Sequence, residues 1–257
     1  MTAATPLFNA TPRITVQRFG AGTCLVVDDA LRDPDAVVAT AVAHRAEFVD
    51  APFNFYPGLQ WVVPDDFGRQ LEEFFDRHAR AVLGGRRTLK SHTRLAMTTR
   101  PPGALRPMQW LCHRDSVGVA REHVIAASVL YLFRDPALGG TAFYAPRRPV
   151  PEINRLVHDS CNLDAEAFAA RYDWPAGYMQ GGNAWFERLG AVAPRWNRMI
   201  FYDGRAFHSG DITMPDALHD DPRTGRLTVN GFFTCSRRAG AGGAAPASGP
   251  SGVPRPV

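Results

Sequence analysis

The sequence is short of several things at once. None of its 257 residues falls in an apolar run approaching the ~20 residues that cross a bilayer. Met1 to Ala10 shows no basic segment leading into an apolar stretch, so a cytoplasmic chain without a secretory signal is expected. Lysine is almost missing: Lys90 stands alone, and every other base is arginine. Cys24, Cys112, Cys161 and Cys235 are scattered with no Cys-x-x-Cys pair, which favours free thiols over a disulfide framework. No basic run is interleaved with aromatics, so the electrostatic footprint of a nucleic-acid binder is absent, and neither nucleic acid nor membrane is expected as a partner. There is no internal repeat, and oligomeric state is not readable.

What is present reads as a folded chain. Hydrophobic residues make up 45% and charged residues 21%, close to globular averages and enough for a packed core. The formal charge of +4 and the pI of about 9.1 look basic, but Arg237, Arg238 and Arg255 sit in a Gly- and Pro-rich tail without acids. Without those three, 26 bases face 25 acids.

Residues 1–11 read as a flexible leader and 237–257 as a disordered tail, five Gly and four Pro falling in the last nineteen positions. Between them, 12–236 reads as one domain. Ile14, Val16 and Phe19 suggest a first strand and Cys24–Val27 a second. Asp33-Pro34 then caps a helix carrying Val37, Val38, Ala41 and Val42. Residues 51–64 read as a loop. A second helix is predicted over Asp66–Leu83, with Phe67, Leu71, Phe74, Phe75, His78 and Val82 at helical spacing and Gly84-Gly85 at its end. Thereafter short β-like runs follow at about 91–99, 107–113, 123–133, 140–145, 197–203, 205–209 and 226–235, with a helical insertion near 163–172 capped by Asp164. Strands at this spacing predict a mainly β fold, a sandwich or closed barrel over about 90–235, with helical support from about 33–83.

The chemistry concentrates in Cys112-His113-Arg114-Asp115. On an extended chain residues i and i+2 point the same way, so His113 and Asp115 can offer an imidazole and a carboxylate side by side. Two such ligands and a distant His make the facial triad of a non-haem Fe(II) site. A second His-x-Asp, at His219-Asp220-Asp221, lies in a polar loop with no later His and reads as a solvated turn. Of the later histidines, His123 is too near Asp115, and His158 falls in a mixed polar segment. His208 sits on the return strand after the Asp203-Gly204 turn. The plainer alternative for His208 is a hydrogen-bonded core histidine. His44, His78 and His92 read as structural or exposed.

Eighteen residues after His208, Arg226, Thr228 and Asn230 share one face of a strand, and Leu227, Val229 and Phe233 share the other. If the apolar face packs, the polar face looks into a cavity. A buried arginine there needs an anion, and its forked guanidinium suits a carboxylate, with the Thr228 hydroxyl beside it. Gln109, Trp110, Arg114, Trp185 and the aromatic segment 53–56 are candidates for the cavity mouth, the plainer reading being that the aromatics are core.

The ordered set His113-x-Asp115, Tyr131-Leu132, Gly139-Gly140-Thr141-x-Phe143, His208 and Arg226-x-Thr228, opening on Val26-Val27-Asp28-Asp29-Ala30-Leu31, resembles the Fe(II)/2-oxoglutarate-dependent dioxygenase superfamily, in its prolyl-hydroxylase-like branch, over roughly residues 24–235. The resemblance implies a double-stranded β-helix, or jelly roll, with supporting N-terminal α-helices. It implies His113, Asp115 and His208 as catalytic iron ligands, and Arg226 with Thr228 as the clamp on 2-oxoglutarate. The implied reaction couples decarboxylation of 2-oxoglutarate to hydroxylation by dioxygen of an unactivated carbon in a small molecule, amino acid or natural-product intermediate. The intact Asp115 favours hydroxylation or desaturation over halogenation. The gap from His208 to Arg226 is longer than in much of that branch. Either Asp211–Thr224 is an insertion, or Arg205 or Arg223 is the clamp. A cupin-like metal enzyme that makes no use of 2-oxoglutarate, and a metal-free ligand-binding jelly roll, are the competing readings.

Overall fold

A computed structural model describes residues 6–50, 56–115, 120 and 122–237. Strands β1 (Arg13–Phe19) and β2 (Gly22–Asp28) lead into helix α1 (Pro34–Ala43). The Asp33 side chain caps α1 by accepting from the Ala36 N–H at 3.0 Å, and Pro34 takes the first helical position. Then come β3 (Val49–Asp50), β4 (Gly58–Val62), α2 (Asp65–His78), β5 (Gly85–Thr98) and a short α3 (Pro107–Trp110). The second half runs β6 (His123–Tyr131), β7 (Gly140–Pro146), α4 (Val150–Asn162), α5 (Ala165–Tyr172), β8 (Phe186–Val192), β9 (Arg198–Asp203), β10 (Phe207–Asp211) and β11 (Arg226–Arg237). The fold is mainly β. Its two antiparallel sheets have eight strands, ordered β1-β2-β9-β6-β11-β5-β4-β3, and three, ordered β10-β7-β8.

Alternation along the strands sets the layers. On the outer face of the large sheet, Leu95, Met97, Leu130, Phe201, Leu227, Val229 and Phe233 pack against Val37 and Ala41 of α1 and Leu71, Phe74 and Phe75 of α2. On its inner face, Val26, Ala127, Tyr131 and Tyr202 meet Phe143 and Val192 of the small sheet. The far side of the small sheet is covered by α4 and α5 through Ile153, Leu156 and Phe168, packed with Trp110, Tyr144 and Phe186. Each fully buried side chain of this size contributes about 1.5–3 kcal/mol of transfer free energy.

The structure departs from the sequence expectations in four places. The 107–113 strand is replaced by α3, because Pro107 starts a helical turn and the Gln109 side-chain Oε1 accepts the Arg106 N–H at 3.0 Å. β4 lies inside the expected 51–64 loop, paired with β5 along its whole length; positions 51–55 lie outside the described residues. α4 and β8 were not expected. β8 is interrupted by Glu187 and Arg188 and is irregular, with Gly190 at φ 153° and a register shift opposite Phe143/Tyr144. Finally, the turn after Asp203 makes no hairpin: β9 belongs to the large sheet and β10 to the small one, so the chain changes sheets there. The expected tail also lies outside the described residues, apart from Arg237, as do the first five leader positions.

Candidate metal and ligand site

Past α3 the chain is extended and crosses the sheet change between β9 and β10. The His113 and His208 backbones exchange both hydrogen bonds at 2.9 Å, and the Asp115 N–H donates to the Gly204 carbonyl at 2.7 Å. This ladder holds three side chains together. His113 Nε2 lies 3.7 Å from Asp115 Oδ1, and His208 Nε2 lies 3.5 Å from Asp115 Oδ2. One ligand atom from each falls within 4.8 Å of the other two. The Asp115 Oδ2 atom is buried and takes no hydrogen bond from a described residue. Gly204 permits this approach, because a Cβ there would stand 2.9 Å from Ile125 Cγ2 and 3.2 Å from Asp115 Cβ.

The histidine nitrogens are oriented. His208 is buried, and its Nδ1 lies 3.0 Å from the Ala206 carbonyl. Because a carbonyl only accepts, Nδ1 carries a proton, and Nε2 is the nitrogen that faces Asp115. The His113 side chain lines the cavity with 49% of its surface exposed. Crowding of protein around the ring, and then the neighbouring His208, push its pKa down to about 4, so it is neutral and has a lone pair to offer near pH 7.

The triad opens onto a cavity of about 370 Å³ between the two sheets. Arg226, 5% exposed, reaches it from the start of β11. Its Nε donates to the Leu138 and Gly139 carbonyls at 2.9 and 3.2 Å, Nη2 to the Gly140 carbonyl at 3.0 Å, and Nη1 to Thr98 Oγ1 at 3.1 Å. Gly139 supplies this collar at φ 82°, where a Cβ would meet the Asp211 carbonyl oxygen at 2.2 Å. Among the described residues no carboxylate pairs with Arg226. Of its five N–H groups, one on each terminal nitrogen is left to a ligand. Thr228 is buried beside it, with its hydroxyl donating to the Ala96 carbonyl at 3.3 Å. Tyr131 and Thr141 share a hydrogen bond of 2.9 Å close by.

The other sequence candidates are spoken for. Asp221, the acid of the second His-x-Asp, pairs with Arg223 at the surface, and Asp220 before it pairs with Arg45. His158 pairs with Asp159, His44 stacks on Trp61, and His78 packs on Phe74. Arg205 donates to the His123 carbonyl at 2.6 Å, and Arg223 is an exposed partner of Asp221. Neither lines the cavity, and the 212–225 segment closes on itself. The Gly225 N–H donates to the Asp221 carbonyl at 2.7 Å, returning the chain to β11, so the long gap is looped out. Gln109, Arg114 and Tyr56 line the cavity, Trp110 and Trp185 lie in or against the core cluster beneath the small sheet, and 53–55 lie outside the described residues.

One charged cavity residue was missed. Arg94 on β5 pairs in register with Asn230 of β11 and faces the same way. Its signal was the alternation Arg94, Ala96, Thr98 against Leu95 and Met97, which mirrors that of residues 226–230.

Comparison with known proteins gives one sequence match. The model of a family of unknown function, DUF6445, covers residues 10–233. The chain belongs to that family. No curated protein matches it. Among solved structures, this DUF6445 member is similar to a crystal structure of an N-substituted L-amino acid dioxygenase from Burkholderia ambifaria AMMD. The identity is 9% and the TM-score 0.36, over 87% of this chain and 94% of that one. The same dioxygenase in complex with alpha-KG gives 10% identity and a TM-score of 0.37, over 89% and 95% of the two chains.

Proposed function

We propose that this DUF6445 member is a non-haem iron oxygenase that uses 2-oxoglutarate and dioxygen to hydroxylate an unactivated carbon of a small molecule, on a jelly-roll core formed by the two sheets. The observation that carries the reading is the pairing, within one cavity, of the His113–Asp115–His208 cluster with Arg226, a buried cation that has no carboxylate partner among the described residues.

The residues fit the metal. Two imidazole nitrogens and one carboxylate oxygen are the donor set of a facial Fe(II) site, and the buried Asp115 Oδ2 has no hydrogen-bond donor among the described residues. When bound, ferrous iron with 2-oxoglutarate supplies oxidative decarboxylation to succinate and carbon dioxide, with transfer of one oxygen atom to a C–H bond. The protein's part is positioning. The His208–Ala206 hydrogen bond fixes the ring orientation before any metal arrives. Asp115 keeps a carboxylate where halogenating relatives of the superfamily lack one. The collar of three carbonyls and Thr98 locks the Arg226 fork, so little side-chain freedom is lost when it takes the distal carboxylate of 2-oxoglutarate. Thr228 reaches that carboxylate only by exchanging its bond to Ala96.

The test is anaerobic. Protein loaded with Fe(II) and titrated with 2-oxoglutarate is expected to develop a visible metal-to-ligand charge-transfer band that Arg226→Ala weakens. Iron binding with no band in folded wild-type protein would overturn the reading and leave a metal enzyme that does not use 2-oxoglutarate.

A further inference from the structure

Arg94, like Arg114 and Arg226, is a cavity cation with no carboxylate partner among the described residues. Its guanidinium carbon lies 4.9 Å from the Phe232 ring centre and 5.8 Å from that of Tyr56. The side chain donates no hydrogen bond to a described residue, and its Nε atom is buried without a partner. Across the strand pair from it stands Asn230, 7% exposed, whose Oδ1 is also buried and unpartnered. Burial lowers the pKa of Arg94 from the usual arginine value, while Asp115 acts against that from electrostatic range. Arginine stays charged even so.

A cation held against two aromatic faces, with none of its N–H groups spent on a described residue, is arranged to receive an anion. That anion is not the one Arg226 awaits. Arg226 and Asn230, the register partner of Arg94, are four residues apart on β11, about 13 Å along the strand. Charge points the same way. The cavity wall carries Arg94, Arg114 and Arg226 against the single carboxylate of Asp115. A divalent ion and a dianionic co-substrate cancel each other, so the wall's excess of positive charge remains for a further anion.

We propose that Arg94 is a specificity-determining residue which, with Asn230, receives the carboxylate of the substrate to be oxidised, so that the substrate class is small carboxylic acids. This rests on the oxygenase reading for what happens to the substrate, but not for the binding itself.

The test is calorimetric and needs no turnover. Full-length protein, loaded anaerobically with Fe(II) and 2-oxoglutarate, is titrated with straight-chain monocarboxylates from propionate to octanoate and with benzoate, each against its primary amide. At least one acid is expected to bind at one equivalent per chain, about tenfold or more tighter than its amide. Arg94→Gln should weaken that acid about tenfold or more and leave 2-oxoglutarate affinity within about threefold, with Arg94→Lys between. Asn230→Asp, which hands Arg94 an internal carboxylate, should also abolish the binding. It guards against an Arg94 variant that fails to fold. The assignment is overturned if no acid binds beyond 2-oxoglutarate, if the amides bind as well as the acids, if Arg94→Gln binds the acid as wild type does, or if Arg94→Gln costs 2-oxoglutarate binding as much as Arg226→Gln. Should 2-oxoglutarate itself fail to bind wild type, the oxygenase reading fails. The acid titration of wild type against Arg94→Gln without it then still decides the role of Arg94.

Discussion

On its helix side β11 gives Leu227, Val229, Phe233 and Cys235 to the layer under α1 and α2; on its cavity side the alternate residues are Arg226, Thr228, Asn230 and Phe232. β5 repeats the division, with Leu95 and Met97 against Arg94, Ala96 and Thr98. The helix face is almost entirely apolar, with Thr93 its polar exception on β5. The cavity face holds two arginines without carboxylate partners among the described residues, and buried polar atoms of Arg94 and Asn230 without hydrogen bonds, in strands of the same backbone regularity. The contrast teaches where stability and chemistry reside. The helix face holds the sheet rigid, and the cavity face gives up stability to keep donors open for ligands.

That division can be broken most forcefully at Phe75, which is fully buried and stacked on Phe233 with ring centres 3.9 Å apart. Phe75→Ala should cost about 3–5 kcal/mol in chemical denaturation while leaving metal affinity at 25 °C unchanged. Loss of metal binding in the still-folded variant would show that the two faces are not independent. The converse experiment is Arg226→Met. It should weaken 2-oxoglutarate by about 2–5 kcal/mol in calorimetry, yet lower the melting temperature of the ligand-free protein only modestly, because the hydrogen bonds lost to the collar are offset by removal of a buried charge without a carboxylate partner. A large drop in melting temperature would make Arg226 a structural residue.

A smaller effect sharpens the comparison at the sheet's edge. Asp28 Oδ1 accepts from Arg198 Nε at 2.7 Å and Asp28 Oδ2 from Arg198 Nη2 at 3.1 Å. The Arg198 hydrogen bonds, aided by the charges of Arg198, Arg195 and Arg13, hold the Asp28 carboxyl below its usual pKa. A carboxylate with a depressed folded-state pKa stabilises the fold above its unfolded pKa, and that contribution disappears as pH falls through the folded value. Asp28→Asn should therefore cost about 1–2 kcal/mol at pH 7 in urea denaturation, and the gap from wild type should close on acidification below the usual carboxylate range. A gap independent of pH would assign the loss to packing.

Much of this was legible because strand alternation writes both faces into the sequence. Asn230 and Arg226 could be placed on a cavity wall, and His113 beside Asp115, from spacing alone. The helix at Asp33-Pro34 was legible for a similar reason, its cap being local. What could not be read depends on pairing between distant segments. Arg94 becomes a cavity residue only once β5 lies beside β11 in a particular register. The change of sheets between Asp203 and Phe207 looks locally like any turn, yet it is what sets His208 opposite His113. α3 was hidden because four residues between prolines and a strand-like apolar run carry too little periodicity.

The most direct test of the account is an equilibrium titration of metal-free protein with Fe(II) under argon, followed by calorimetry in wild type and in Asp115→Ala. The account predicts one ferrous ion per wild-type chain and an affinity at least ~100-fold weaker in the variant, since even outer partners of metal ligands are worth 10–100-fold. Folded wild type that binds no iron, or a variant that binds it equally well, would contradict it.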